Sequence, residues 1–526
     1  MSGVVIFSVM KTLIENFPLN ARRAGKDADA LASRLAAEKL GIPPEAVLGV
    51  EILNRSIDSR RREPTLVYRL LLEVEDRFSG SLPPAEEEYL KQLAPAELQL
   101  PESKLRSPVV VGTGPAGIFG ALALAMAGCR PLVLDRGAEV ETRCRNHEKF
   151  LRTRELDEES NLLIGEGGAG TFSDGKLYTG THDARGRFVI DTLIASGAPP
   201  EIRFTARPHV GSDYLKKTCA ALRERIIGLG GEFRFHSAVC DISPSSGGGV
   251  KLLLADGETL EAPAVLLAPG LGGRALVRHL GNRFGGVRTK AFQLGCRIEH
   301  PQDFIDRRQY RGSRPECLGA AEYHIAGGGA SSFCMCPGGV LVNASAWRGH
   351  SCTNGMSLHA RDGEFANAAL IATMRPEEFS APEETFALIE GIERELFRRG
   401  GGDYTFPAQD AAAFLNGTAR LSRRESSSET GCVPGRLDDL PPPRLRDVLA
   451  EALKIFDRKI PGFIRHGVLV GVEPCVSSPL RMERNEKGEW EALPAVYPAG
   501  EGVGAAGGIV SAACDGIRAA EAMLRR

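Results

Sequence analysis

The sequence lacks a large net charge, a long apolar run and any CxxC motif, and each absence excludes a class of protein. Lys and Arg number 65 and Asp and Glu number 67, so the net charge is −2. This near-neutral charge gives no general attraction to nucleic acid or acidic membranes. The longest apolar run, Ala116 to Cys129, is interrupted by glycines and is too short to span a bilayer. We therefore expect no membrane association, and the charge does not favour a nucleic-acid partner.

Two further absences concern the cell compartment. No basic stretch precedes the short apolar run 4–9, so we expect no signal peptide. The 12 cysteines are scattered along the chain, a usage typical of reduced thiols in the cytoplasm. We therefore expect a cytoplasmic protein, and the length of 526 residues is enough for several domains.

A strand, a glycine-rich turn, a helix and a second strand follow one another between residues 109 and 137. The first strand is the valine run 109–111, which is typical of a buried parallel strand. Gly112 allows a tight turn, Gly114 lets the backbone approach a pyrophosphate, and Gly117 lets the helix pack closely on the strand. Because a helix N-terminus presents unpaired N–H groups to an anion, the segment predicts an adenine dinucleotide site.

Residues around this turn refine the prediction. Asp135 follows Gly112 at close to the roughly 20-residue spacing expected for a carboxylate that binds the ribose. Pro115 and Ala116 resemble the same positions of flavoproteins and favour FAD over NAD. A basic stretch begins at Arg136, and Arg143 is the member best placed to reach the cofactor.

A second glycine-rich loop spans 165–177. Its exposed backbone N–H groups suit pyrophosphate or flavin oxygens, and we predict cofactor contacts at Gly167, Gly168, Gly170 and Thr171. Lys176, near the end of this loop, is predicted to stabilise negative charge on the reduced flavin.

Two later segments are predicted to join the same sheet. A buried strand, 264–268, ends at Ala268 and Gly270, and Val239 lies on an earlier strand that we also place at the cofactor. Near the C-terminus, Gly500, Glu501, Gly508 and Ile509 form a third corner before a helix of small residues. A second strand–GxGxxG–helix unit is missing from the sequence, so we expect no dedicated nicotinamide domain.

The first hundred residues are predicted to form a separate small unit with a βαββ order. The apolar runs 4–9, 47–53 and 66–74 indicate strands, and the pattern of 27–40 indicates a helix. The basic segment 55–62 is interpreted as a solvated hairpin tip, with a contact surface for an acidic or RNA partner as the alternative. Prolines at 83, 84, 95 and 101 mark a linker.

Cys334 and Cys336 are separated by one residue. A redox pair or half of a metal site is possible for such spacing, but no Cys/His cluster completes a zinc site in the sequence. We interpret the two as structural thiols, predict no metal, and keep Cys336 as a candidate on the substrate side.

Taken together, these motifs and the runs 333–339, 354–357 and 500–509 resemble the bacterial FAD-dependent dehydrogenases that carry an extra N-terminal α/β domain. The resemblance implies an α/β fold with a glutathione-reductase-type FAD domain in two segments, 107–285 and 466–526. It also implies an inserted α+β substrate domain, 286–465, and a small N-terminal α+β domain, 1–100.

The sequence departs from that family in two places. Residues 271–275 read Leu-Gly-Gly-Arg-Ala where the family often has His-Ser-Ala-Arg-Asp, and 473–476 read Glu-Pro-Cys-Val in place of Glu-Thr-Arg-Thr. If these segments line the active site, an imidazole and a guanidinium are missing. We expect a shifted substrate or weakened activity, with FAD binding retained.

The predicted function is an FAD-dependent oxidoreductase that transfers hydride between an unknown small organic substrate and flavin N5. NAD(P)H, if used, would bind transiently. Lys176 and Glu501 are predicted beside the flavin, and Asp174, His209 and Cys336 on the substrate side. A flavin monooxygenase and a flavin-bound scaffold for RNA or protein remain alternatives, and the oligomeric state is left open.

Overall fold

The computed structural model has a mixed α/β fold and describes residues 9–60, 63–80, 82–91, 94–178, 180, 183–423 and 425–526. The strands of these residues are β1 (Val9–Asn20), β2 (Val47–Asp58), β3 (Thr65–Glu75), β4 (Val109–Val111), β5 (Leu132–Leu134), β6 (Glu232–Arg234), β7 (Val239–Pro244), β8 (Val250–Leu254), β9 (Thr259–Ala262), β10 (Val265–Leu267), β11 (Val287–Thr289), β12 (Phe292–Pro301), β13 (Ala326–Gly327), β14 (Ala330–Cys336), β15 (Val340–Asn343), β16 (Thr353–Met356), β17 (Phe365–Met374), β18 (Phe406–Asp410), β19 (Cys432–Pro434), β20 (Val468–Glu473), β21 (Leu480–Met482) and β22 (Val496–Pro498).

The helices are α1 (Ala28–Leu40), α2 (Asp76–Ser79), α3 (Glu87–Lys91), α4 (Pro115–Met126), α5 (Val140–Thr153), α6 (Arg185–Ala195), α7 (Ser212–Gly228), α8 (Arg274–Phe284), α9 (Gln302–Gln309), α10 (Pro382–Arg399), α11 (Ala411–Asn416), α12 (Pro443–Lys459), α13 (Phe463–His466) and α14 (Ile509–Leu524). Within the described residues, every helix is too short or too polar to cross a membrane.

The N-terminal unit is an antiparallel sheet in the order β1-β3-β2 with α1 packed against it. The Asp27 side chain caps α1 by accepting from the Ala30 N–H, and Gly41 ends the helix in the left-handed region. The predicted strand at 4–9 lies almost wholly outside the described residues, and β1 begins at its last residue.

The interpretation of 55–62 as a hairpin tip is wrong at its first residues, because Arg55 to Asp58 belong to β2. The Arg55 N–H donates to the Phe204 carbonyl (2.7 Å), and its guanidinium pairs with Asp29 (2.6 Å) and lies over the Phe204 ring. Arg55 therefore attaches the N-terminal unit to the segment 204–206. Residues 61 and 62 lie outside the described residues.

A parallel sheet in the order β22-β10-β4-β5-β6 carries the first glycine turn. Its strands come from two distant parts of the chain, since β22 lies near the C-terminus. The helices α4 and α14 pack against each other beside this sheet, where small residues permit a close approach. An antiparallel sheet of β7, β8 and β9 follows β6 in the chain.

A second, mainly antiparallel sheet has the order β13-β14-β17-β12-β20-β18-β19. Its long strands β12 and β17 are buried over most of their length, and α9 and α12 are among the helices that pack on them. The strand β20 pairs with β12 and β18, so this sheet continues to Glu473.

Candidate functional site

The first glycine corner connects β4 to α4. Gly112 has φ of 95°, and a Cβ there would lie 2.2 Å from the Ala268 carbonyl oxygen. A Cβ at Gly117 would lie 1.8 Å from the Gly112 carbonyl oxygen, so helix and strand meet only because this residue is glycine. Gly114 differs, because a Cβ there would meet nothing within 4 Å. The open side of Gly114 adjoins the N-terminus of α4, which no side chain caps.

Asp135 lies at the end of β5 and is buried. Its Oδ2 accepts from the N–H and the hydroxyl of Thr113 (2.8 and 2.5 Å), and Oδ1 accepts from the Gly137 N–H (2.8 Å). The carboxylate therefore holds the glycine turn in shape. A carboxylate oxygen can accept two hydrogen bonds, and the described contacts occupy only one position of Oδ1. The second position could accept a ribose hydroxyl.

The two arginines predicted to reach the cofactor both bind protein acceptors. Arg136 forms a bidentate pair with Glu159 (2.6 and 2.8 Å). Arg143 is fully buried and donates to the carbonyls of Asn161, Glu166 and Gly168. Burial lowers the pKa of Arg143 to about 10. Arg143 thus holds the backbone of the second glycine loop in place through hydrogen bonds to its carbonyls.

The second glycine loop lies against the first corner. A Cβ at Gly167 would lie 1.9 Å from Thr171 Oγ1, and one at Gly168 would lie 3.3 Å from the Gly114 Cα. A Cβ at Gly170 would lie 3.4 Å from Ile509 Cγ1 and 3.9 Å from Pro115 Cγ. The loop therefore reaches both the first corner and the N-terminus of α14.

The third corner meets the first through small residues. A Cβ at Gly500 would lie 2.8 Å from the Ala116 Cβ, and one at Gly502 would lie 2.1 Å from the Gly270 carbonyl oxygen. Gly508 precedes α14, whose N-terminus also lacks a side-chain cap. Val239 lies at the start of β7, packed against the core that contains β4 and β10. The three corners thus converge, with two open helix N-termini.

Glu501 belongs to this corner. Its Oε1 accepts from the Ser478 N–H (3.1 Å), and burial raises its pKa. No contact among the described residues joins Glu501 to the other predicted catalytic residues.

A buried polar cluster follows the second glycine loop. Asp174 accepts from Lys176 Nζ (2.5 Å) and from Arg361 (2.8 and 2.5 Å), and its exposure is 0%. Burial opposes the charged form of Asp174, but the two cations outweigh burial and hold its pKa well below the usual range. Burial likewise opposes the Lys176 ammonium, and Asp174 outweighs it and raises the lysine pKa. The pair is therefore charged at neutral pH.

His209 and Cys336 lie beside this cluster. His209 pairs through its backbone with Lys176, and its Nε2 lies 3.0 Å from the His359 carbonyl oxygen. Burial, followed by the charge of Arg361, lowers the pKa of His209 to about 4. Cys336 lies within electrostatic reach of Lys176, and its interaction with Cys334, followed by burial, raises the pKa of its own thiol. Asp174, Lys176, His209 and Cys336, predicted from three distant segments, thus come together.

We expect protonation of His209 to destabilise the protein at acid pH. Its folded-state pKa is about 4 and its ordinary value is 6.5. The folded state therefore binds fewer protons, and stability is full above about pH 6.5 and lost as the pH falls towards 4. His209→Gln keeps a donor for the His359 carbonyl but does not titrate. Between pH 7 and pH 4.5, the free energy of unfolding should fall less in the variant than in the wild type. The difference should reach up to roughly 1.4 kcal/mol per pH unit, and urea unfolding at the two pH values measures it.

His324→Gln changes an exposed histidine for which the described contacts give no charged partner, and it is the control for this experiment. Equal pH dependence in His209→Gln and the wild type would contradict the assignment. Arg361, Asp174 and His359 are the charged or titratable groups that face His209.

Residue-by-residue reasoning missed three members of the site. Arg361 completes the Asp174 cluster, and Arg297 pairs with Glu473 where both are buried. Arg297 also donates to Asn367 Oδ1 (2.9 Å) and to the Cys334 carbonyl (2.9 Å). A charged residue in the middle of an apolar strand was the available signal for Arg297. Arg361 had no such signal.

The two departing segments occupy different places. Arg274, in the first, pairs with Glu393 (2.8 Å) and lies over the Trp347 ring, and a Cβ at Gly272 would lie 2.7 Å from Ile164. The second begins at Glu473, the partner of Arg297. A cavity of about 280 Å³ is lined by residues that include Arg308, His324 and Lys459, and none of its lining residues belongs to 271–275 or 473–476.

Comparison with known proteins identifies two parts of the chain. Residues 291–475 match the family described as "FAD-dependent protein, C-terminal domain-like", and residues 21–75 match a domain of unknown function. An uncharacterised protein of Clostridium beijerinckii is 37% identical over 524 residues, which cover 95% of this chain and 96% of the relative. The prediction that FAD is the cofactor is confirmed by the family match.

Solved structures resemble the chain only weakly. CtdE in complex with FAD is 10% identical with a TM-score of 0.34, over 80% of this chain and 83% of its own. Native FqzB is 12% identical with a TM-score of 0.32, over 81% and 76%. Similarities at this level carry no argument about the site. On the sequence evidence, the chain is an FAD-dependent flavoprotein and belongs to the same protein family as the Clostridium beijerinckii relative.

Proposed function

We propose that the protein is an FAD-dependent oxidoreductase of the dehydrogenase type, acting on a small organic substrate. The observation that carries the proposal is the convergence of three glycine corners beside the buried Asp174 cluster. The parallel sheet is proposed to be a glutathione-reductase-type FAD domain, built from 107–285 and a C-terminal segment. The inserted domain is proposed to extend from 286 through β20.

The residues of the corners fit an extended dinucleotide. The open side of Gly114 and the uncapped N-termini of α4 and α14 offer N–H groups and a positive dipole end to a pyrophosphate. Gly112, Gly117 and Gly502 leave no room for a side chain, because a Cβ there would lie 2.2, 1.8 and 2.1 Å from a backbone carbonyl oxygen. FAD would supply hydride chemistry at its flavin ring.

The chain's own residues would bind and orient the substrate. Lys176 stays charged beside Asp174 and would stabilise negative charge near the flavin. His209 stays neutral at pH 7, because its pKa is lowered to about 4, and would present an uncharged imidazole. Glu501 and Cys336 are proposed to face the flavin and substrate sides respectively.

The visible spectrum tests the proposal directly. The purified protein should be yellow or become so with added FAD, and an anaerobic substrate or NAD(P)H should bleach the flavin bands. A protein that stays colourless after reconstitution overturns the proposal. Rapid substrate hydroxylation on adding air would instead identify a monooxygenase. A yellow protein that resists every reductant and retains RNA or a protein partner would identify a scaffold.

Asp135→Asn should weaken FAD binding by about tenfold or more. An amide has only one acceptor oxygen, whereas the carboxylate has two. The amide NH₂ would place a donor against the N–H of Thr113 or Gly137, so one of those hydrogen bonds would be lost. Fluorescence titration of the apo protein with FAD measures the effect. Asp256→Asn makes the same chemical change in an exposed turn, where Oδ1 accepts from the Glu258 N–H (2.9 Å), and is the control. An unchanged dissociation constant in Asp135→Asn would show that the ribose assignment is wrong.

A further inference from the structure

Cys334 and Cys336 lie at an irregularity of strand β14. The pairing of β14 with β17 shifts between Phe333 and Cys336, and Cys334 has φ of 42°. A positive φ is uncommon for a side chain other than glycine, asparagine or aspartate, and such strain concentrates at functional sites. Residues two apart on a strand already share one face, and at this bulge Cys336 Sγ donates to the Cys334 carbonyl (3.4 Å).

Cationic groups surround this pair. An Arg297 NH₂ group donates to the Cys334 carbonyl (2.9 Å) and to Cys336 Sγ (3.4 Å). The hydrogen bond with Cys336, reinforced by the charges of Lys176 and Arg297, lowers the pKa of the Cys334 thiol against the effect of burial. Nearby cations stabilise the thiolate form of a reactive cysteine, whereas a structural cysteine does not depend on them.

The two cysteine residues differ in exposure. Cys334 is half-buried, and its neighbour Phe333 is 45% exposed. Tyr178, whose pKa is influenced by Cys334, is 51% exposed. Cys336 is completely buried. Cys334 is therefore the more exposed residue of the pair and Cys336 the buried one, which suits an attacking and a resolving cysteine.

The pair also lies next to the proposed flavin site. Lys176 and Asp174 belong to the loop whose Gly168 approaches Gly114. On the other side, Glu473 binds Arg297 and is followed closely by Ser478, whose N–H donates to Glu501 at the third corner.

We propose that Cys334 and Cys336 form a redox-active dithiol that exchanges two electrons with the FAD. In the oxidising direction the two S–H bonds break and one S–S bond forms between the sulfurs. The two electrons and two protons pass to oxidised FAD, which becomes FADH₂. The reverse step restores the dithiol. This inference rests on the proposed function, because FAD is the partner oxidant.

Anaerobic dithionite titration of the holoprotein, after treatment with diamide and its removal, tests the exchange. The wild type should take up about four electrons per FAD, two for the flavin and two for the disulfide. Cys334→Ser and Cys336→Ser should take up about two. Cys240→Ser, at an exposed thiol on β7, is the control and should behave as the wild type. Should Cys336→Ser not fold, Cys334→Ser alone decides.

Thiol mapping gives a readout independent of the flavin. After diamide, denaturation and alkylation, the tryptic peptide 312–348 should carry an alkyl group on Cys317 only and lack the mass of two hydrogens. Full alkylation of all three cysteines, or uptake of two electrons by the wild type with flavin bleaching, overturns the dithiol and leaves the proposed function standing. A protein without flavin bands after reconstitution overturns both.

Discussion

Gly114→Val is expected to abolish FAD binding while the apo protein remains folded. The backbone at Gly114 has φ of −66°, which valine can adopt, and a Cβ there meets nothing within 4 Å. The protein itself therefore leaves open space at the Cβ position of residue 114. The pyrophosphate would need the same space, because it must approach the N–H groups of α4 closely. We expect the dissociation constant for FAD to rise at least about 100-fold, or roughly 2.8 kcal/mol.

Isothermal titration of the apo protein with FAD, alongside circular dichroism, measures both parts of this prediction. Gly319→Val is the matched control, because Gly319 is exposed in a loop, has no positive φ and likewise has open space at its Cβ position. The control should bind FAD as the wild type does. Near-normal FAD content in a folded Gly114→Val protein would show that the cofactor does not pass this turn.

Arg297→Met is expected to have the largest effect on stability. Arg297 is 0% exposed and Glu473 is 6% exposed, so removal of the guanidinium leaves a buried carboxylate without its cation. Breaking a buried pair in this way costs roughly 3–5 kcal/mol. Burial already raises the pKa of Glu473 against the opposing effect of Arg297, and that pKa should rise further in the variant. We expect Tm in calorimetry to fall by at least about 6 °C.

The double variant Arg297→Met/Glu473→Leu separates the charge from the packing. If the unpaired carboxylate causes the loss, the double variant should regain most of the Tm. Arg398→Met removes a guanidinium that pairs with Glu395 on the exposed face of α10, and its Tm should stay close to that of the wild type. An Arg297→Met variant as stable as Arg398→Met would refute a stabilising role for the buried pair.

The glycine corners could be predicted because their constraint is local. A turn with positive φ at Gly112, an open backbone at Gly114 and a helix start at Pro115 are each encoded by neighbouring residues. The C-cap at Gly41 and the N-cap at Asp27 were predictable for the same reason. The partners of charged side chains escaped prediction more often than the turns did.

Those partners lie far apart in the chain. Arg361 binds Asp174 across 187 residues, and Arg143, predicted at the cofactor, donates instead to the Glu166 and Gly168 carbonyls of the second loop. Arg55, interpreted as part of an exposed tip, attaches the N-terminal unit to the segment 204–206 through Phe204. A guanidinium has five donors in a long side chain, so its partner depends on which acceptors packing leaves within reach.

By itself, the sequence predicted three glycine-rich turns that meet at one cofactor, since backbone conformation and helix starts depend on nearby residues. Only the tertiary structure decided that Asp174 has two cations and that Arg297 donates to Cys336 Sγ and to the Cys334 carbonyl. Those relations arise when strands from opposite ends of the chain enter one sheet and when a bulge redirects a strand. Long-range packing, rather than local preference, therefore sets the chemistry of the site.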